Sequence, residues 1–137
     1  MGSEMCIRDS NRLALVLAVL GRHAGVGVGS ADVFVNVAGG VRVDEPGADL
    51  AVALAVASAA RGVALGAGER PLACFGEVGL TGELRTVGHA DRRLAEARKF
   101  GLTEIVGPRE SGARFEAPTL RAAVRAALGP ARDARAA

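Results

Sequence analysis

Residues able to do chemistry gather in two short stretches. Three carboxylates, Asp44, Glu45 and Asp49, surround Pro46-Gly47, and four cations, Arg92, Arg93, Arg98 and Lys99, crowd one later segment. The carboxylates stand where they complement the positive end of a helix, and the cations could touch phosphate groups. Neither stretch holds a hydroxyl or thiol nucleophile. Ser58 lies inside an alanine-rich segment and is expected to hydrogen-bond the preceding turn. Cys74 sits in an apolar run and reads as a small buried hydrophobe rather than a nucleophile. His23 and His89 lack companions at metal-ligand spacing, so no metal site is expected. Lys99 is the only lysine among 17 basic residues, so any lysine-dependent chemistry must pass through it.

Composition narrows the field further. A length of 137 residues allows one domain with a real core. The longest apolar run, residues 13–20, is far too short to span a membrane. With one cysteine outside the first ten residues, an internal disulfide and a multi-cysteine metal site are both excluded there, and a reducing cytoplasm is expected. The net charge of +2 does not by itself announce nucleic-acid binding. The chain has no Tyr or Trp, which argues against base stacking as a binding mode. Gly25-Val26-Gly27-Val28-Gly29 has the glycines of a phosphate-binding loop. It follows a helix rather than a strand and lacks the Lys-Ser/Thr that such a loop requires.

The elements that must position these residues follow from periodicity. Residues 11–23 read as a helix with Arg12, Arg22 and His23 as polar ends. Residues 32–38 alternate, with Val33, Val35 and Val37 on one face, and read as a strand; a second short strand, 41–43, follows the Gly39-Gly40 turn. Pro46 suits the first turn of the next helix, whose body, 50–61, is almost all Ala, Val and Leu and should be buried on most sides. Strands are expected at 72–75, apolar on both faces and therefore central, at 83–87 and at 102–106. A helix is expected at 90–100. Thr119 caps a last helix with Leu120, Ala123, Val124, Ala127 and Leu128 on one face, ended by Gly129-Pro130. The sum is a mixed α/β domain. Residues 1–10, Met-Gly-Ser-Glu-Met-Cys-Ile-Arg-Asp-Ser, resemble the translation of a sequencing-library adapter and are set aside as non-native. That leaves 11–129 as the domain and 130–137 as a loose tail.

Three segments in order carry a family resemblance. They are Asp-Val-Phe-Val-Asn-Val-Ala-Gly-Gly-Val-Arg-Val-Asp-Glu-Pro-Gly-Ala-Asp-Leu-Ala-Val-Ala-Leu-Ala-Val-Ala (32–57), Phe-Gly-Glu-Val-Gly-Leu-Thr-Gly-Glu-Leu-Arg-Thr-Val-Gly (75–88) and Arg-Arg-Leu-Ala-Glu-Ala-Arg-Lys-Phe-Gly (92–101). Together they resemble the C-terminal Lon-protease-like domain of the RadA (Sms) family of bacterial DNA repair proteins. The resemblance implies a Lon proteolytic-domain-like fold, here lacking its first strands. It also implies a parent protein with a zinc finger and a RecA-like ATPase, hence zinc and ATP with magnesium outside this stretch and no cofactor within it. Such a parent is a hexameric, ATP-dependent branch-migration motor acting on recombination intermediates alongside the recombinase RecA, in the cytoplasm and without a membrane.

A Lon-type peptidase carries Gly-Pro-Ser-Ala-Gly at the start of the alanine-rich helix and a lysine on a later one. Carried onto this chain, the pattern places Gly47 at the serine and Arg93 at the lysine. A Ser–Lys dyad needs a hydroxyl and a neutral amine to take its proton. Glycine offers no hydroxyl, and arginine stays protonated in proteins. Lys99 cannot substitute, because six residues at about 100° each leave it roughly 120° around the helix from Arg93. Arg93 is instead expected to pair with Asp44, Glu45 or Asp49. Arg92, Lys99 and the nearby Arg98 form a basic edge that could contact DNA phosphates, although an Arg92–Glu96 pair one turn apart would partly neutralise it. The expected role is therefore non-catalytic: hexamer assembly and DNA contact. The alternative is an ATP-dependent Lon-type serine peptidase domain.

Overall fold

The computed structural model describes residues 7–37, 45–65 and 71–129. Its first element, α1, runs Ile7–His23, so the helix begins inside the segment set aside on sequence grounds. Pro46–Ala48 forms a single 3-10 turn, with proline at the position where its missing N–H costs nothing, and α2 continues as Asp49–Arg61. Gly62 closes α2 in the left-handed region at φ 63°, the conformation that favours glycine. The chain then enters β1 (Leu72–Cys74), the two-residue strands β2 (Glu77–Val78) and β3 (Leu84–Arg85), and α3 (Ala90–Lys99). It finishes with β4 (Glu104–Pro108), β5 (Phe115–Ala117) and α4 (Leu120–Leu128).

The strands form a parallel sheet of order β1-β4-β5 and a separate antiparallel pair, β2-β3. Parallel neighbours usually need a crossover of about a dozen residues or more. β4 and β5 manage with the short loop between Pro108 and Phe115 because Phe115 pairs beside Val106, so the chain steps back only slightly. Ser111 holds that loop: its hydroxyl donates to the Pro108 carbonyl at 2.6 Å and accepts from the Ala113 N–H at 3.3 Å.

Alternation along β4 divides the interior. Val106 faces the main core with Val16, Leu20, Leu50, Leu54, Leu120 and Val124 from α1, α2 and α4. Ile105 faces a smaller cluster with Phe75, Leu94 and Ala113, under α3. The molecule is thus three layers, with α1, α2 and α4 on one side of the sheet and α3 on the other. The last helix follows its sequence signature closely, since the Thr119 hydroxyl accepts from the Ala122 N–H at 3.1 Å and four apolar residues are buried.

The structure corrects the expected strands. Residues 32–37 belong to no strand despite their alternation, and Phe34 is 91% exposed. Period-two patterning supplies a face but no partner, and a strand exists only when its backbone groups are paired. The expected strand at 41–43 and the tail at 130–137 lie outside the described residues. β1 is an edge rather than a central strand among the described residues, because β4 takes the middle. The strand expected at 83–87 shrinks to Leu84–Arg85, while β2 and β5 were not anticipated.

Candidate functional site

The start of α2 and the inner edge of α3 meet at Gly47. The 3-10 turn presents the Gly47 backbone, and two hydrogen bonds fasten it to the end of β1. Gly76 N–H donates to the Gly47 carbonyl at 3.0 Å, and Leu50 N–H to the Gly76 carbonyl at 3.1 Å. Gly47 is buried because a guanidinium covers it. A β-carbon at this position would stand 2.9 Å from Nη1 of Arg93 and 3.1 Å from its Cζ. Any side chain at position 47 would therefore require the guanidinium to move.

Two contacts fix that guanidinium. Arg93 Nε donates to the Gly88 carbonyl at 2.9 Å, and Nη2 donates to Glu45 Oε1 in an ion pair. Of the three carboxylates considered as partners for Arg93, Glu45 is the one found against it, while Asp44 lies outside the described residues. Asp49 is a correction. It accepts from Arg12 of α1 through both carboxylate oxygens at 2.6 Å, and Oδ2 also accepts the Val78 N–H at 3.0 Å. Asp49 is 3% exposed, so its charge has left water and depends on these partners. The carboxylate in turn holds the Arg12 guanidinium above its ordinary pKa, mainly through their hydrogen bond. The link spans 37 positions and joins α1, α2 and β2. Sequence reading treated Arg12 only as a polar helix end, and no local pattern could have matched the two.

Beside Arg93, a groove of about 480 Å³ separates α3 from β1, lined by Cys74, Phe75, Arg92, Glu96 and Phe100 among others. Its one sulfur is not poised to attack anything, since burial pushes the Cys74 thiol up to about 12. Arg92, Arg98 and Lys99 are all exposed on α3. Ser58 differs from expectation: its hydroxyl donates forward to the Val63 carbonyl at 2.6 Å, helping to end α2 instead of bonding the turn before it. His89 adopts φ 63° as the N-cap of α3, a turn position. Among the described residues no three His, Cys, Asp or Glu side chains cluster in a way that could hold a metal. No described helix is long and apolar enough to cross a membrane.

A second carboxylate network lies in the hairpin. Glu83 accepts from both the Thr81 N–H and the Thr81 hydroxyl, and from Arg85 Nη2 at 2.7 Å. The Thr81 hydroxyl first, then a hydrogen bond to the Glu83 backbone and the Arg85 guanidinium, lower its pKa from 4.5 to about 2.

A mixed α/β layer structure with a helix start presented against a later helix is the frame of a Lon-type proteolytic domain, and the sequence agrees. Residues 24–128 match the Lon protease (S16) C-terminal proteolytic domain, and the chain belongs to that family. Within it, the chain is similar to the DNA repair protein RadA. Identity is 46% to the RadA of Brucella abortus over 122 residues, 88% of this chain and 25% of that protein. It is 50% to that of Aquifex aeolicus, over 74% of this chain and 22% of that protein. For Escherichia coli RadA it is 48%, over 73% of this chain and 21% of that protein. The resemblance to the RadA type of Lon-like domain is thereby borne out. The chain spans about a quarter or less of the length of these relatives.

Proposed function

We propose that this is a non-catalytic Lon-like domain of a RadA-type DNA repair protein. The observation that carries the reading is the contact between Arg93 and Gly47. At the place where the family resemblance puts a nucleophile there is no side chain, and the partner position holds a permanent cation engaged with Glu45 and Gly88. A charged guanidinium cannot accept a serine proton. Lys99 offers no substitute, for it sits exposed near the far end of α3. In this reading residues 11–129 are the native domain, and residues 1–10 are adapter-derived.

What remains for such a domain is assembly and contact with nucleic acid. The parent protein would be an ATP-driven branch-migration motor working in the cytoplasm as a hexameric ring, with RecA as a partner. Arg92, Arg98 and Lys99 would touch the DNA backbone. Each is a single exposed cation worth little alone, and six copies in a ring would act together through effective concentration.

The test is a fluorogenic-peptide cleavage assay on the 137-residue chain with Lys99→Gln beside it. The reading predicts no turnover above buffer for either. Turnover that disappears in Lys99→Gln would instead establish the serine-peptidase alternative. Fluorescence anisotropy with a labelled DNA duplex supplies the second half. Arg92→Gln with Lys99→Gln should lower the salt slope of binding by about one for each phosphate contact removed. An unchanged slope removes the α3 edge from the account.

A further inference from the structure

On the side of the molecule away from the Gly47 groove, a concavity of about 200 Å³ lies between α4, the end of α2 and the turn after α1. Three arginines line it, Arg61 from the last turn of α2 and Arg121 and Arg125 from α4, with Ala24 and Val124 as apolar wall. None of its lining residues is acidic. Among the described residues, neither Arg61 nor Arg125 takes part in an ion pair. Arg121 spends its Nε on the His23 carbonyl at 3.1 Å, which fixes the guanidinium and leaves its other N–H groups for the concavity.

The simplest competing role for such arginines is to neutralise helix ends, and magnitudes decide against it as the whole explanation. α1, α2 and α4 all finish here, and each C-terminus carries about half a negative charge. Three helix ends thus account for roughly one and a half of the three cationic charges. The surplus crowds like charges into a concave site, a cost that a bound anion offsets. Guanidinium groups present planar donor forks suited to phosphate oxygens, and donors arriving from two elements converge on one space rather than along a line.

We propose that this concavity binds the phosphate or pyrophosphoryl group of a small molecule, held by Arg61, Arg121 and Arg125. The site is independent of the α3 edge and of the peptidase question. The shared chemistry of a free phosphate and a nucleic-acid phosphate is separated by using both as probes. Calorimetric titration of the 137-residue chain with inorganic pyrophosphate should give saturable one-to-one binding. The Arg61→Gln/Arg125→Gln pair should weaken it by roughly tenfold or more, as expected for losing charged hydrogen bonds. Arg125→Lys should retain more affinity than Arg125→Gln, and Arg92→Gln/Lys99→Gln should leave it unchanged. Circular dichroism confirms that each variant remains folded, and both substituted arginines can be changed singly if the pair does not. Failure to saturate overturns the proposal, as does binding indifferent to Arg61 and Arg125. Binding of a twelve-nucleotide DNA strand through these arginines without pyrophosphate binding would also overturn it, by assigning the site to a backbone instead.

Discussion

Two carboxylate–arginine pairs flank the start of α2, and they differ in what surrounds them. Asp49 is 3% exposed, bidentate to Arg12 and further bonded to the Val78 N–H at 3.0 Å. Glu45 is 48% exposed, and its partner Arg93 is 26% exposed. The first pair lies among the elements of the main core, and the second lies at the mouth of the groove where the Lon resemblance places the dyad. Solvent decides their weights. An exposed pair gains little because water screens it, whereas breaking a buried one leaves a charge without solvation. The pair that holds the fold is therefore not the pair at the candidate site. Arg93 can cover Gly47 without being needed for folding, as the proposed non-catalytic role would permit.

The sharpest way to break that comparison is Asp49→Ala. It leaves the buried Val78 N–H without its acceptor and Arg12, itself 26% exposed, without its carboxylate, and should cost about 2–3 kcal/mol in urea unfolding. A loss below about 1 kcal/mol would put the two pairs on equal footing. Thr119→Ala offers an intermediate yardstick, since deleting an N-cap acceptor costs about 1 kcal/mol. Glu45→Gln should cost less than about 1 kcal/mol, and less still in high salt. A third acid, Glu83, sharpens the contrast by pH. Its folded pKa is lowered to about 2 from 4.5, so its contribution is complete above about pH 4.5 and is lost as pH falls toward 2. Carbon-detected NMR titration of Glu83 should show this low midpoint, and Thr81→Ala should raise it. Because the carboxylate is solvent-facing, the consequence belongs to the β2-β3 turn rather than to global stability.

How much of this was legible in the sequence depended on distance along the chain. Helix ends were legible because their signals are local: Thr119 three residues before the N–H it caps, Gly129 at the close of α4, Pro46 just inside a first turn. The neighbourhood of Arg93 and Glu45 came from the family resemblance, which supplied a three-dimensional relation that periodicity cannot. Arg12–Asp49 was missed because it joins residues 37 apart with no pattern between them. β2 and β5 were missed for another reason. Strands of two and three residues are too short to show alternation. The opposite error occurred at 32–37, where alternation is present and no pairing partner is found among the described residues.

The central claim is that the fold rests on Arg12–Asp49 while Arg93–Glu45 is a replaceable cover over Gly47. Double-mutant cycles on both pairs, read by urea unfolding under one set of conditions, test it most directly. The account predicts a coupling of at least about 2 kcal/mol for Arg12 with Asp49 and under about 1 kcal/mol for Arg93 with Glu45. Equal couplings, or a larger one for Arg93 with Glu45, would contradict it.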